Sequence, residues 1–127
     1  MAKIEGGCLE VCEATEFVAV VTSGKDGPHV VGNWGDYMRT LGIHGDLIIL
    51  PVGRYRQTEE NLLGDRRLKL LVASKKVQGS HLAGQGYLIC GWGEVLASGA
   101  EAVAVRAKFP WARAALVVHV EEIEAQL

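Results

Sequence analysis

The sequence predicts a mostly β protein with short helices, in which the strands close into one small antiparallel barrel. Short apolar runs rich in β-branched residues are separated by turn residues, which is the rhythm of strands rather than of long helices. Glycine is abundant, at 16 of 127 residues, whereas proline occurs only 3 times, a balance that indicates many tight turns rather than a flexible linker. An open sheet of this size would leave two unpaired edges, and closure into a barrel removes them.

Six segments have the apolar, β-branched character of strands. The Asp26-Gly27 pair follows the first of them and is a strong signal for a hairpin turn. The third segment is apolar throughout, which suits a buried strand. The predicted strands comprise residues 17–22, 29–31, 47–52, 68–73, 87–96 and 114–120.

Three short helices are predicted between these strands. Thr58 is placed to act as an N-cap, with two acidic residues after it near the positive end of the helix dipole. Ser98 and Glu101 match the capping box Ser-x-x-Glu, and Pro110 ends the helix that follows. The predicted helices comprise residues 9–14, 58–63 and 102–109.

Length and composition exclude several classes of protein. A chain of 127 residues forms one domain, spanning 1–127, and a hydrophobic content of 49% excludes intrinsic disorder. A net charge of −2 argues against a general nucleic-acid-binding surface. No apolar run approaches the roughly 20 residues of a membrane span, and the N-terminus lacks the apolar core of a signal peptide. With an odd count of 3 cysteines, this predicts a reduced, cytoplasmic protein.

No metal site is predicted. Cys8 and Cys12 would share one face of a helix, but no second pair of ligands follows at the spacing of a zinc site, so we interpret them as packing residues. The 4 histidines are isolated from one another in the sequence. The motifs of zinc proteases, of serine hydrolases with a nucleophile elbow and of phosphate-binding loops are all absent.

Polar and cationic residues gather where the third predicted strand ends and a helix begins. Gly53 lets the backbone come close to a ligand, and the loop after it leads to a helix N-terminus, whose free N–H groups and dipole favour anions. Arginine suits phosphate as a bidentate donor. Solvated charge at strand ends is the competing interpretation. The candidate anion-binding residues are Arg54, Arg56, Gln57, Thr58, Ser74, Lys75 and Lys76.

Two tryptophans fall on segments that connect predicted elements. Trp34 follows a strand in a turn-like segment, and Trp111 lies between a helix and the last strand. A pair of tryptophans on connecting segments suits the walls of a site for a flat aromatic ligand, because aromatic rings favour stacked or edge contacts. A structural plug is the alternative interpretation.

Several motifs occur together in one order along the chain. They are Gly27-Pro28-His29-Val30-Val31, Asn33-Trp34 with Tyr37, Pro51-Val52-Gly53, Thr58-Glu59 with Asn61, Ser74-Lys75-Lys76-Val77 and Trp111-Ala112-Arg113-Ala114-Ala115-Leu116-Val117. With these motifs the chain resembles the small FMN-binding proteins of sulfate-reducing bacteria. That family belongs to the FMN-binding split-barrel group, which includes pyridoxamine-phosphate oxidases and flavin reductases. The resemblance runs from about residue 15 to residue 127.

The resemblance implies a six-stranded antiparallel split barrel and a homodimer that holds one FMN per subunit near the interface. Backbone groups of the Pro-Val-Gly motif would face the edge of the isoalloxazine ring, and the two tryptophans would line the ring. The last residue of the partner subunit would cover it. The residues that the resemblance assigns to the ring are Asn33, Trp34, Tyr37, Pro51, Val52, Gly53, Trp111 and Leu127.

The chain departs from the family's pattern at the phosphate. The resemblance implies that Thr58 holds the phosphate from the start of its helix. The family places a lysine directly before this threonine, and here that position is Gln57. Arg54 or Arg56 would then supply the cation, because a phosphate that carries about two negative charges needs basic partners.

The resemblance implies a redox-active flavoprotein and leaves its role open. We favour electron transfer with a protein partner, because the acidic tail at 120–127 has no arginine to grip the phosphate of an oxidase substrate. The first alternative is an FMN-dependent oxidoreductase that uses NAD(P)H to reduce a flavin or a small molecule. The others are a flavin store without turnover and, from a different class, a structural dimer that has lost its flavin through the change at Gln57.

Overall fold

The structure, a computed structural model, describes residues 2–127 as four helices and seven strands. All seven strands join one sheet in which every ladder is antiparallel. The mostly β fold with short helices is therefore confirmed. In chain order the elements are α1 (Gly6–Ala14), β1 (Phe17–Gly24), β2 (Gly27–Trp34), α2 (Gly35–Leu41), β3 (Ile43–His44), β4 (Leu47–Val52), α3 (Arg56–Gly64), β5 (Arg67–Gln78), β6 (Ala83–Leu96), α4 (Ala100–Lys108) and β7 (Ala114–Ala125).

Alternating burial explains why these segments form strands. In β1, Val18, Val20 and Thr22 are buried in the barrel while the residues between them are more exposed, as the two-residue period of a strand requires. The predicted hairpin joins β1 to β2 through a two-residue turn that is closed by the pair Gly24 and Gly27. Gly27 has a φ of +101°, which side chains of L-residues rarely adopt, so glycine is required there.

The strand count of six was wrong, since the sheet has seven strands in the order β2-β1-β5-β6-β7-β4-β3. The additional strand is β3, whose two residues pair with the start of β4 and are too few to produce a periodic pattern. Helix α2 was also missed, because Gly35 at its start has the appearance of a turn residue. Gly35 instead packs so closely on the carbonyl oxygen of Thr15 that a Cβ atom there would lie 2.0 Å from it. Trp34 is consequently the last residue of β2 and not part of a turn.

Both predicted helix caps were wrong. The residue before α3 is Tyr55, in a left-handed conformation with a φ of 57°, and Thr58 lies inside the helix. The residue before α4 is Gly99, so Ser98 lies one position too early to cap, and no side chain caps either helix. Among residues 2–127, no helix is long and apolar enough to cross a membrane.

Aliphatic side chains from the strands fill the interior of the barrel. Helix α1 packs against β5 and α2 and adds Val11, Cys8 and Cys12 to this core. A smaller cluster forms where α4 packs on β7, around Val105 and Val117. The largest fully buried side chains are Met38, Ile48, Leu50, Leu70, Ile89 and Leu116.

No ladder joins β2 and β4 in the part of the chain described. Side-chain hydrogen bonds close the barrel between these two strands instead. Asn33 Nδ2, in β2, donates to the carbonyl of Pro51 in β4 at 3.1 Å. The phenol of Tyr55 donates to the carbonyl of Gly32 at 2.7 Å. We call these four residues, Gly32, Asn33, Pro51 and Tyr55, the seam.

One outer surface of the sheet carries an apolar patch, which is bordered by Lys69 and Glu124. The register places Ala19 of β1 beside Leu71 of β5, and Val21 beside Val30 of β2, on the side that faces away from the core. Val30 is 60% exposed, and Leu71 is 40% exposed. We call this surface the apolar outer face, which comprises Phe17, Ala19, Val21, Val30, Trp34, Leu71 and Leu88.

Candidate functional site

An open cavity of about 420 Å³ lies at the seam, next to the point where β4 ends. Six residues that the sequence predicted for one site meet there, although they come from four separate stretches of the chain. Three further residues line it that the sequence did not indicate, namely Phe17, Gly32 and Tyr55. The predicted residues in this cavity, which we call the ring cavity, are Asn33, Trp34, Tyr37, Pro51, Gly53 and Trp111.

Aromatic side chains form the walls of the ring cavity and keep exposed surface. Trp34 is 50% exposed and meets Phe17 edge to face, with ring centroids 6.0 Å apart. Trp111 is 54% exposed, and Tyr37 lies against it with ring centroids 5.7 Å apart. Tyr37 is supported in turn by Phe109 at 4.8 Å. The cavity therefore offers apolar ring surface on which a flat aromatic group would stack.

The backbone after β4 forms the floor of the ring cavity. The Val52 side chain is fully buried in the core, so only its backbone is available to a ligand. A Cβ atom at Gly53 would lie 3.2 Å from the Trp111 ring, so a side chain there would crowd the tryptophan. Glycine thus keeps the backbone accessible beside the aromatic wall, as the sequence predicted for this position.

Arg113, which sequence reasoning did not assign, holds this loop. Its guanidinium donates to the carbonyl of Gly53 at 3.1 Å and to the carbonyl of Arg54. It also forms an ion pair of 2.9 Å with Glu59 on α3. The only signal in the sequence was its position inside the motif that starts at Trp111.

Tyr55 is another unforeseen residue, and its left-handed backbone turns the chain from the ring cavity into α3. Its phenol closes the seam by its bond to Gly32. Burial of the phenol raises the pKa of Tyr55 to about 12, and a hydrogen bond with Asn33 opposes that shift. Tyr55 is consequently a neutral hydrogen-bond donor over the whole physiological range.

The start of α3 has an unsatisfied buried hydroxyl. Thr58 Oγ1 has no hydrogen-bond partner among residues 2–127, although the side chain is fully buried. Buried polar atoms are nearly always hydrogen-bonded, so such a hydroxyl indicates a site that another group completes. The side chains of Arg54 and Arg56 are exposed nearby in the chain and form no ion pair within the described residues. The two guanidiniums therefore place uncompensated positive charge close in the chain to this hydroxyl.

Gln57 does not face the ring cavity. Its side-chain amide donates to Asn61 Oδ1 one turn further along α3, at 2.8 Å. It lines a different cavity, of about 630 Å³, between α3 and the β1–β2 hairpin. The structure therefore separates Gln57 from the other residues predicted for the anion.

Ser74, Lys75 and Lys76 line a neighbouring cavity of about 710 Å³. This cavity shares Trp34 and Tyr37 with the ring cavity, so the two adjoin along the same pair of aromatic rings. The Ser74 hydroxyl accepts a hydrogen bond from the backbone N–H of Lys76 at 3.1 Å, where the register between β5 and β6 shifts. The two lysines thus bring positive charge next to the ring cavity but not into it.

Leu127 lies outside the ring cavity of its own chain. The amide of Gln85 grips its backbone at both ends, because Nε2 donates to the Leu127 carbonyl at 2.7 Å and Oε1 accepts from its N–H at 2.8 Å. The Leu127 side chain is 65% exposed. It is therefore fixed in place but free to contact another molecule.

Cys8 and Cys12 are free, buried thiols in the core, in accord with a packing role. A hydrogen bond with Cys8, together with burial, raises the pKa of Cys12, so that this thiol remains protonated. No group of three or more His, Cys, Asp or Glu side chains within residues 2–127 is arranged to hold a metal ion.

Comparison with known proteins identifies a relative over nearly the whole chain. The chain is 40% identical over 124 residues to the FMN-binding protein of Nitratidesulfovibrio vulgaris (strain Miyazaki F). The matched region covers 98% of this chain and 99% of that protein. No protein-family model matches the chain.

Solved structures show the same fold at low sequence identity. A HupZ structure from Group A Streptococcus has a TM-score of 0.79 at 18% identity and covers 97% of this chain and 99% of its own. A putative pyridoxamine 5'-phosphate oxidase from Lactobacillus delbrueckii has a TM-score of 0.69 at 20% identity and covers 98% and 99%. These likenesses confirm the predicted split-barrel fold.

Proposed function

The chain belongs to the family of small FMN-binding proteins, and from that premise we propose that it binds FMN at the seam and transfers electrons with a protein partner. The observation that carries the proposal is that a part suited to a flat ring and a part suited to a phosphate follow each other in the chain. An open aromatic cavity of about 420 Å³ lies where β4 ends, and a helix start with an unsatisfied hydroxyl follows a few residues later in the chain. A flavin mononucleotide has a flat ring and a terminal phosphate, which match these two halves.

The ring of FMN would be held by the aromatic walls and the loop after β4. Trp34, Tyr37 and Trp111 line the cavity and would supply the stacking surface. The backbone of the Pro-Val-Gly motif at the end of β4 would supply hydrogen-bonding groups to the edge of the ring. The side chain of Asn33 shapes the cavity, because Nδ2 donates to the Pro51 carbonyl at the seam and Oδ1 accepts from the backbone N–H of Trp34.

The phosphate would be held at the first turn of α3. Thr58 supplies a hydroxyl without a partner, and the free N–H groups of the helix start favour an anion. Arg54 and Arg56 replace the family's lysine, since Gln57 points to the far side of α3. Ser74, Lys75 and Lys76 add positive potential from the adjoining cavity.

Bound FMN supplies the ability to accept and donate electrons. The chain's own residues orient the ring, exclude water from its faces and set the local charge. Among residues 2–127, no His, Asp, Glu, Lys or Arg side chain lines the ring cavity. A site without such groups lacks a strong general acid or base for substrate chemistry, which favours electron transfer over catalysis on a small molecule.

A second copy of the chain would complete the site. The apolar outer face continues from the ring cavity, because Phe17 and Trp34 belong to both. Exposed apolar surface of this kind indicates association, and a two-fold dimer would bury it on both subunits at once. In such a dimer the exposed side chain of Leu127, whose backbone is held by Gln85, would be available to the flavin of the other subunit.

An NAD(P)H-dependent reductase is the second candidate, and one observation favours it. The cavity that holds Lys75 and Lys76 adjoins the ring cavity through Trp34 and Tyr37, and its three cationic side chains outnumber its two carboxylates. Its size and this small excess of positive charge suit a second substrate that carries phosphate. A flavin store without turnover makes no use of this cavity.

Purification and spectroscopy test the proposal directly. We expect a yellow dimer that releases one FMN per chain on denaturation, and a reduced form that passes electrons to an acceptor protein such as a cytochrome. Colourless protein that fails to bind added FMN would contradict flavin binding. Rapid consumption of NADH or NADPH under air would replace electron transfer by the reductase, and a flavin that is neither reduced nor reoxidised by partners would identify a store.

A further inference from the structure

One guanidinium joins the two halves of the proposed flavin site. Through Nε, Arg113 donates to the carbonyl of Gly53 at 3.1 Å, and both Nε and Nη2 donate to the carbonyl of Arg54. Nη2 also lies 2.9 Å from Glu59 Oε1. The two carbonyls belong to the loop beside the ring cavity, whereas Glu59 lies in α3 next to Thr58. A single side chain thus contacts both the ring side and the phosphate side.

Arg113 is itself held rigidly. Its backbone N–H donates to the carbonyl of Val52 at 2.9 Å, which fixes it beside the end of β4. Its carbonyl accepts from Arg106 Nη1 at 3.1 Å, and Nη2 of Arg106 donates to the carbonyl of Ala97 at 3.0 Å. Helix α4 and the end of β4 therefore fix the Arg113 backbone, which directs the guanidinium to the loop.

The charge on Glu59 explains why an arginine is needed. Glu59 lies in the first turn of α3 and is only partly exposed, so its carboxylate would repel an anion that approaches Thr58. Arg113 neutralises that carboxylate. Because the planar guanidinium presents several donors in a fixed fork, it can serve the two carbonyls and the carboxylate together, which a compact lysine ammonium cannot do.

We propose that Arg113 is a positioning residue of the flavin site, an inference that rests on the proposed function. It fixes the backbone of Gly53 and Arg54 against the ring, and it cancels the repulsion between Glu59 and the phosphate. These two actions are separable, because riboflavin shares the ring of FMN and lacks the phosphate.

Titration of the apoprotein with FMN and with riboflavin separates the two actions. Arg113→Lys keeps a charge beside Glu59 but loses the forked bonds, so we expect both flavins to bind about tenfold more weakly. Arg113→Gln also leaves Glu59 uncompensated, so FMN alone should lose about a further tenfold. Adding Glu59→Gln to Arg113→Gln should recover that FMN-specific loss and leave the loss common to both flavins.

Arg67→Gln is the matched control, because it also removes an arginine from an ion pair, with Asp65 at 2.8 Å, but on the exposed surface. We expect it to bind both flavins as the unmodified protein does. Circular dichroism identifies the variants that fold, and if Arg113→Gln does not fold, Arg113→Lys still tests the ring side.

Folded Arg113 variants that bind both flavins as Arg67→Gln does would overturn the proposal. So would a double variant in which FMN binding is not recovered. Unmodified protein that binds neither flavin would contradict the proposed function instead.

Discussion

Trp34 and Trp92 occupy opposite kinds of environment in the same small barrel. The indole of Trp92 already has planar partners, because the His119 ring stacks on it with centroids 3.7 Å apart and the Arg66 guanidinium lies 4.1 Å from its centroid. Glu94 completes this group by a 3.1 Å contact with His119. Within the described residues, the one aromatic ring against Trp34 is that of Phe17, in an edge-to-face contact, and Trp34 is 50% exposed.

The difference separates a structural aromatic from a binding one. A ring whose partners belong to its own chain contributes its interaction energy to folding. A ring that is half-exposed at a cavity has surface without a partner in its own chain, and a ligand can stack on that surface. We therefore expect that loss of the Trp92 ring lowers stability, whereas loss of the Trp34 ring lowers flavin affinity.

The largest expected effect is on the structural side. Trp92→Ala removes the stack with His119 and the contact with Arg66, so it should lower the free energy of unfolding by about 2 kcal/mol. Urea denaturation of the apoprotein measures this, and the folded variant should bind FMN normally. Trp92→Phe, which keeps a ring for stacking, is the matched control. A loss of FMN affinity without a loss of stability would break the comparison.

Trp34→Ala is the mirror experiment. It should weaken FMN binding by about 1.4 kcal/mol, or tenfold, while the free energy of unfolding of the apoprotein changes by about 0.5 kcal/mol or less. Fluorescence quenching of added FMN gives the dissociation constant, and Trp34→Phe should retain most of the affinity. If Trp34→Ala unfolds as easily as Trp92→Ala and binds FMN fully, its ring is structural.

Buried threonine hydroxyls extend the comparison to polar groups. Thr58 Oγ1 has no partner, so Thr58→Val should stabilise the apoprotein by about 1 kcal/mol and weaken FMN, but not riboflavin, about fivefold. The matched control is Thr22→Val, because the equally buried hydroxyl of Thr22 accepts from Asn61 at 3.1 Å. That variant should destabilise the protein and leave flavin binding unchanged. Equal behaviour of the two variants in urea would contradict the assignment of Thr58.

The last effect, the pH dependence at the seam, appears only above pH 10. The raised pKa of Tyr55, about 12 against an ordinary 10, means that the folded state holds this proton more tightly than the unfolded state does. Its contribution to stability is therefore complete below pH 10 and is lost as the pH rises from 10 to 12. Absorbance near 295 nm should show a late step that Tyr55→Phe removes. A single step for all tyrosines would argue against burial at the seam.

Sequence reasoning predicted the parts of this protein that depend on local pattern. Strand β4 has the predicted bounds, since an unbroken apolar run is a strong signal, and six residues predicted for one site meet in the ring cavity. What it missed depends on distant partners. Helix α2 is anchored by Arg39, which donates to the carbonyls of Cys12 and Thr15, 27 and 24 residues away. No local pattern of seven residues carries that information.

The same reason explains why parts of the candidate site were not predicted. The hydrogen bond of Arg113 to Gly53 joins residues that are 60 positions apart in the chain. No neighbouring residue in the sequence indicates where the Arg113 guanidinium points. The N-cap at Thr58 was wrong because a left-handed Tyr55 starts the helix earlier than propensity predicts. Gln57 was placed with the anion by its neighbours in sequence, whereas the helix turns it toward Asn61.

The seam has a kinetic consequence. A strand ladder opens only when many hydrogen bonds break together, whereas the bonds of Asn33 to Pro51 and of Tyr55 to Gly32 can break one at a time. Because the ring cavity lies at this point, a flavin held there as proposed would exchange through local opening alone, with the hydrogen-bonded ladders intact. Its loading and release would then have their own timescale, decoupled from the lifetime of the folded barrel, and we expect that the protein can be emptied and refilled without denaturation.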